Sequence, residues 1–210
     1  MCPYDNAVSQ DVTSSHVRRL ARRSRGTGAT AFPEYRSRSG AVISLQQRVN
    51  DCFQRSMNGK PIAFDGEDMN AILAYMKWLS SGVPVGTNVT GRGFEKIDTS
   101  LAPNRENGKA VYAQRCAACH GAEGQGLPNP QGGYLMPPLW GKDSFNVGAG
   151  MARMYTAAAF VKHNMPLGQG GTLTAQEAVD VAAFFTQQPR PDYAARAKDW
   201  PKGDKPKDAR

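Results

Sequence analysis

The stretch R-C-A-A-C-H-G, residues 115–121, restricts what this chain can become more than any other. On a helix, residues three and four apart share a face, so Cys116, Cys119 and His120 converge on one object. Two thiols at this spacing suit the two vinyl groups of a haem, with the imidazole binding iron from one side. A redox dithiol of the thioredoxin kind would sit in a βαβ context, and no strand-like alternation flanks the motif. A zinc site would need two further Cys or His ligands at suitable spacing, and none follows. Covalent haem c is the reading that uses all three residues.

An iron so held wants a second axial ligand, and Met suits an electron carrier because it raises the potential. N-M-P-L-G offers Met165, 45 residues after His120, with Pro166 stiffening the loop. His163, two residues earlier, reads instead as a surface histidine at a helix end. The segment E-N-G-K-A-V-Y-A-Q-R predicts a helix running into the motif, with Val111 and Tyr112 on its packing side. G-G-Y-L-M-P-P-L-W-G-K predicts a proline-rich loop whose Leu139 and Trp140 wall off a haem edge. A helix over 151–164 and a closing one follow, the latter opened by the capping box Thr174-x-x-Glu177 and stopped by Pro189. Helix, C-x-x-C-H, loop, helix, Met loop, helix resembles the order of a class I cytochrome c, placed at residues 99–190.

The first half has its own cysteine. Ser44-x-x-Gln47 is a second capping box, so a helix should start at residue 45. At 100° per residue Leu45, Val49, Cys52 and Phe53 form one apolar stripe, with Met57 near it and Arg48 and Arg55 on its flank. From the pattern alone, Cys52 is either a packed thiol or a metal ligand. The next helix is predicted between Asp65 as cap and Gly82, burying Met69, Ile72, Leu73, Met76 and Leu79. Two such helices look like part of another cytochrome domain, residues 32–98. The expected fold class is therefore all-α, with tandem class I cytochrome c-like domains, the first incomplete.

The block R-V-N-D-C-F-Q-R-S-M-N-G-K, followed by R-C-A-A-C-H-G and H-N-M-P-L-G, closely resembles the dihaem c-type thiosulfate dehydrogenases, from about residue 32 to the C-terminus. The resemblance implies a periplasmic cytochrome that joins two thiosulfates into tetrathionate and passes the electrons through haem c to a redox partner, a cytochrome or another electron acceptor. It implies that Cys52 is the distal ligand of a first, active-site haem iron. It also implies that Arg38 and Arg48 are active-site arginines, and that Cys116, Cys119, His120 and Met165 hold a second haem. A lysine that precedes this Met in some members is Asn164 here, so no ligand switch is expected. Two weaker readings remain: a monohaem electron carrier without catalysis of its own, and a sulfur-transfer haem subunit of a sulfur-oxidising complex.

The family carries two haem c groups, whereas this sequence holds a single C-x-x-C-H. Upstream of Cys52, residues 1–31 contain only Cys2, and V-T-S-S-H puts Val12 and Ser15 where cysteines would stand before His16. That segment reads as anomalous and disordered, with the first haem-binding segment missing or garbled, and it lacks the apolar core of a secretory signal. Of the formal +8 charge, residues 1–38 hold seven Arg against Asp5, Asp11 and Glu34. The final fifteen residues hold six Lys/Arg against three Asp. A nearly neutral body between two basic ends does not describe a nucleic-acid binder. Residues 191–210 read as a solvated basic tail. No apolar run approaches the ~18 residues of a membrane span.

Overall fold

A computed structural model describes residues 29–87, 89, 93 and 95–210. The expectations for Cys2, Val12, Ser15 and His16 lie outside those residues. The architecture is helical, with two small antiparallel hairpins. Among the described residues no helix is long and apolar enough to cross a membrane. The chain divides into two compact units. One is made of the described residues of Met1–Gln54, Lys60–Gly93 and Lys198–Asp204, the other of Arg55–Gly59, Phe94–Ala197 and Lys205–Arg210.

In the first unit, β1 (Glu34–Arg36) pairs with β2 (Ala41–Ile43), Tyr35 opposite Val42. The Ser44 box closes as the sequence predicts: Gln47 N donates to Ser44 Oγ (3.2 Å) and Ser44 N to Gln47 Oε1 (2.7 Å). It opens α1 (Leu45–Asp51). The predicted helix does not simply continue, because at Cys52–Ser56 it widens into a π-helical turn. The wider turn breaks the 100° stripe there, and Met57 is 55% exposed instead of joining the apolar face. The second helix, α2 (Glu67–Leu79), is preceded by Gly66 at the cap position and not by Asp65. Asp65 contributes its backbone carbonyl, which accepts from Asn70 Nδ2. Val49, Met69 and Met76 form the buried centre, with Leu45, Phe53, Ile62, Ile72 and Leu73 packed against it. Asn50 clips the intervening loop by a reciprocal pair with the Ile62 backbone (2.9 and 3.0 Å).

The basic tail is only partly solvated, which corrects the sequence expectation. Trp200 is 9% exposed. Its backbone N–H donates to Arg38 O at 2.7 Å, the Arg38 guanidinium lies 4.5 Å over its ring, and Asp199 stands 3.6 Å from Arg38 Nε. An indole offers a large apolar surface and a π face that suits guanidinium, so one aromatic outweighs the charge of its neighbours. Trp200→Ala is expected to lower the stability of this unit by about 3 kcal/mol, read as a lower denaturant midpoint for its transition.

In the second unit, α3 (Arg105–Arg115) leads through Cys116 into the short α4 (Ala117–His120). The hairpin β3 (Leu127–Pro128) and β4 (Tyr134–Met136) follows, then α5 (Met154–Asn164) and α6 (Ala175–Thr186). The Thr174–Glu177 box opens α6 as predicted. Val111 and Tyr112 of α3 join Ala157, Ala158 and Val161 of α5 and Val179, Ala182 and Phe185 of α6 in one core. Where α3 meets α6, a Cβ on Gly108 would stand 2.0 Å from Asp180 O, so only glycine permits that approach. Asp180 is itself 1% exposed. Its carboxylate accepts from Asn104 N (2.8 Å), Asn107 Nδ2 (2.7 Å) and Gln176 Nε2 (2.7 Å).

Candidate functional site

Local backbone bonds shape the C-x-x-C-H segment. Cys116 N donates to Tyr112 O (2.9 Å), the last helical bond of α3. Cys119 N (3.1 Å) and His120 N (2.9 Å) both donate to Cys116 O. The three chemistry-bearing residues therefore sit on one turn and a fraction more. Tyr112 secures the far end, its hydroxyl donating to Gly121 O at 2.7 Å. The same ring packs against Trp140 and Phe184, with centroids 5.0 and 5.5 Å away. Trp140 thus forms part of an apolar wall beside the motif, as its sequence predicts. It lies so close to Gly124 that a Cβ there would meet the indole at 2.3 Å.

Cys116 and Cys119 are free thiols. Burial pushes the Cys116 thiol up to about 11, the Arg115 charge opposing and Cys119 adding to the rise. A reactive redox dithiol needs the opposite, a thiolate stabilised at neutral pH. His120 Nδ1 lies 2.8 Å from Pro137 O. A carbonyl can only accept, so Nδ1 carries the proton and Nε2 keeps its lone pair for a metal. Met165 follows α5 and packs against the core of this unit. His163 faces Glu95 at 3.7 Å. Asn164 Nδ2 returns to Phe160 O at 3.0 Å.

Two unoxidised thiols, an imidazole with its tautomer fixed and a partly buried thioether in one unit are the donor set of a haem c. These residues fit the group. The sequence given holds this one C-x-x-C-H.

In the first unit the structure brings Arg48 and Cys52 together, with Arg48 Nη1 donating to Cys52 Sγ at 2.9 Å. Cys52 is 6% exposed, at the point where α1 gives way to the π-helical turn. It is disulfide-bonded. Arg38, in the turn between β1 and β2, is engaged with Asp199 and Trp200. Arg55, expected on the flank of the Cys52 face, belongs to the second unit. There it donates to Gly148 O (3.3 Å) and lies 4.7 Å over the Tyr193 ring.

Sequence reasoning missed Pro137, whose carbonyl orients His120, and the partly buried Arg190. Only the unusual Pro137–Pro138 pair, which cannot donate backbone hydrogen bonds, hinted at the first.

The SoxA/TsdA cytochrome c domain family matches residues 19–85, and the cytochrome c family matches residues 105–189. The thiosulfate dehydrogenase of Psychrobacter arcticus is 51% identical over 181 residues, covering 86% of this chain and 55% of that protein. The thiosulfate dehydrogenase of Allochromatium vinosum is 51% identical over 160 residues, covering 76% of this chain and 59% of the other. Among solved structures, the thiosulfate dehydrogenase (TsdBA) from Marichromatium purpuratum superposes with a TM-score of 0.76 at 39% identity, covering 81% of this chain and 38% of that one. The chain therefore spans a little over half the length of these curated relatives. Both halves are cytochrome c domains.

Proposed function

Since the chain belongs to the thiosulfate dehydrogenase family, we propose that it is a thiosulfate-oxidising c-type cytochrome. Two thiosulfate dianions join through a new sulfur–sulfur bond to give tetrathionate, releasing two electrons. The Arg48–Cys52 pair carries this reading. A fixed guanidinium 2.9 Å from a cysteine sulfur favours the ionised, nucleophilic form of a reduced thiol. Paired guanidinium groups bind oxyanions by charge-assisted hydrogen bonds and offset the repulsion between two dianions. In this reading Cys52, Arg48 and Arg38 are the catalytic residues of a domain spanning 32–98. Cys52 acts as the thiol once an external dithiol has reduced its disulfide, the dithiol closing its own disulfide and supplying the two electrons.

Cys116 and Cys119 would hold a haem c covalently, with His120 and Met165 as its iron ligands, in a domain spanning 99–190. That group would supply one-electron storage when bound, so the two electrons of each tetrathionate would pass through it one at a time to the acceptor. The protein around it does the rest. Pro137 O keeps the imidazole in the metal-binding tautomer, and Trp140 and Phe184 exclude water beside the motif. Electrons then leave for an acceptor, a cytochrome or a comparable redox protein, in the periplasm.

The assay is tetrathionate formation from thiosulfate with ferricyanide as acceptor, after reduction with dithiothreitol and its removal. Cys52→Ala is expected to abolish turnover while leaving the haem spectrum unchanged. Full turnover in Cys52→Ala would remove the cysteine from the chemistry. A haem-loaded protein that forms no tetrathionate would make it an electron carrier only.

A further inference from the structure

Arg190, just beyond α6, is partly buried without a carboxylate. Among the described residues it makes no ion pair, and its Nε–H is sealed from solvent with no hydrogen-bond partner. Burial, with the nearby Arg210 charge adding to it, lowers its pKa to about 10, which leaves it protonated at neutral pH. A partly buried cation whose Nε–H has no partner draws its compensation from the hydrogen bonds of its fork.

Those bonds fall on two places. Nη2 donates to Phe185 O at 2.7 Å, in the last turn of α6. Nη1 donates to Leu139 O at 3.2 Å, across 51 residues. The planar fork rests on the Phe145 ring, 4.2 Å from its centroid. Beside it Gly141 N donates to Pro189 O at 2.8 Å. The segment 189–190 therefore grips the loop 139–141 at two points.

Packing of Trp140 against Tyr112 and Phe184 also holds this loop, but its backbone anchors are few. Pro137 and Pro138 have no N–H to give, and Leu139 N bonds to Gly124 O (2.8 Å). Two residues before the Arg190 contact stands Pro137 O, the acceptor of His120 Nδ1–H. We propose that Arg190 is a positioning residue for the iron ligand: by fixing Leu139 O it holds Pro137 O where it orients and polarises the His120 imidazole. A hydrogen bond at Nδ1 raises the basicity of Nε2 and so tunes the metal.

The alternative is that Arg190 acts on the haem only as a charge. The two roles separate by substitution. Arg190→Lys keeps the charge but replaces the fixed planar fork with a shorter, flexible point ammonium that does not match the spacing of Phe185 O and Leu139 O while stacked on Phe145. Arg190→Gln loses both. The test follows exchange of the His120 Nδ1 proton with solvent by NMR on the reduced, haem-loaded protein, together with the reduction potential. Positioning predicts exchange about tenfold faster in both variants, and a potential that rises in both as the imidazole becomes a weaker donor. Native exchange in Arg190→Lys, or a potential that falls in Arg190→Gln alone, would show a charge effect and overturn the proposal. Should Arg190→Gln fail to fold, Arg190→Lys decides alone. No thiosulfate enters the experiment, so its outcome is independent of the catalytic reading.

Discussion

Replacing Cys116 and Cys119 together by serine is expected to abolish covalent haem attachment in a host with the full maturation machinery. The Soret band of the purified protein should fall to background once acidified acetone has removed loosely held haem. The chemistry leaves little room for a smaller effect. Both thioether bonds use these sulfurs, and a hydroxyl does not replace them. Either single serine variant retains one attachment and should keep part of the band. His120 and Met165 remain in place in all three variants, so a surviving non-covalent haem would be seen in the acetone extract.

The second large effect is expected where α3 meets α6. By helix propensity alone, Gly108→Ala should stabilise α3 by about 1 kcal/mol. The structure reverses that sign. The new Cβ would meet Asp180 O at 2.0 Å, and the obstacle is backbone, which cannot rotate away like a side chain. Overpacking of this kind costs about 1–3 kcal/mol, and an unyielding neighbour puts it at the upper end. A net loss of about 2 kcal/mol follows. Asp180→Ala attacks the same junction differently. It leaves Asn104 N, Asn107 Nδ2 and Gln176 Nε2 without their common acceptor, at about 3 kcal/mol for bonds to a charged group. The two changes touch the same residue pair, so the double variant should fall short of additivity. Denaturant midpoints followed at the Soret band measure all three.

What the sequence made legible was local. The C-x-x-C-H turn, the Ser44 and Thr174 capping boxes, and the packing faces of Val111, Tyr112, Met69 and Met76 each depend on residues within about one helical turn. Periodicity and spacing report such features directly. The π-helical turn at Cys52 was not legible, because a stripe read at 100° per residue assumes that the helix keeps its pitch. Arg48 still meets Cys52, since they stand four residues apart on the same element. Arg55 and Met57 lie beyond the change of pitch and leave the face where the pattern put them.

The long-range pairs were hidden for another reason. Asp180 reaches Asn104 across 76 residues, and Arg190 reaches Leu139 across 51. Trp200 meets Arg38 from the opposite end of the chain. No composition or period signals them. An Arg after a helix and a Trp in a lysine-rich tail both look solvated until the chain brings a carbonyl or a guanidinium to them. Pro137 shows the same limit at the metal side. A proline pair announces a loop without N–H donors, while the use of its carbonyl depends on where His120 points.

Mass spectrometry of the tryptic peptide 116–142 from the matured protein tests the central claim most directly. The account predicts that this peptide carries the mass of one haem and takes up no iodoacetamide. A peptide of unmodified mass that accepts two carbamidomethyl groups would contradict it, because both thiols would then be free of the porphyrin they are assigned to hold.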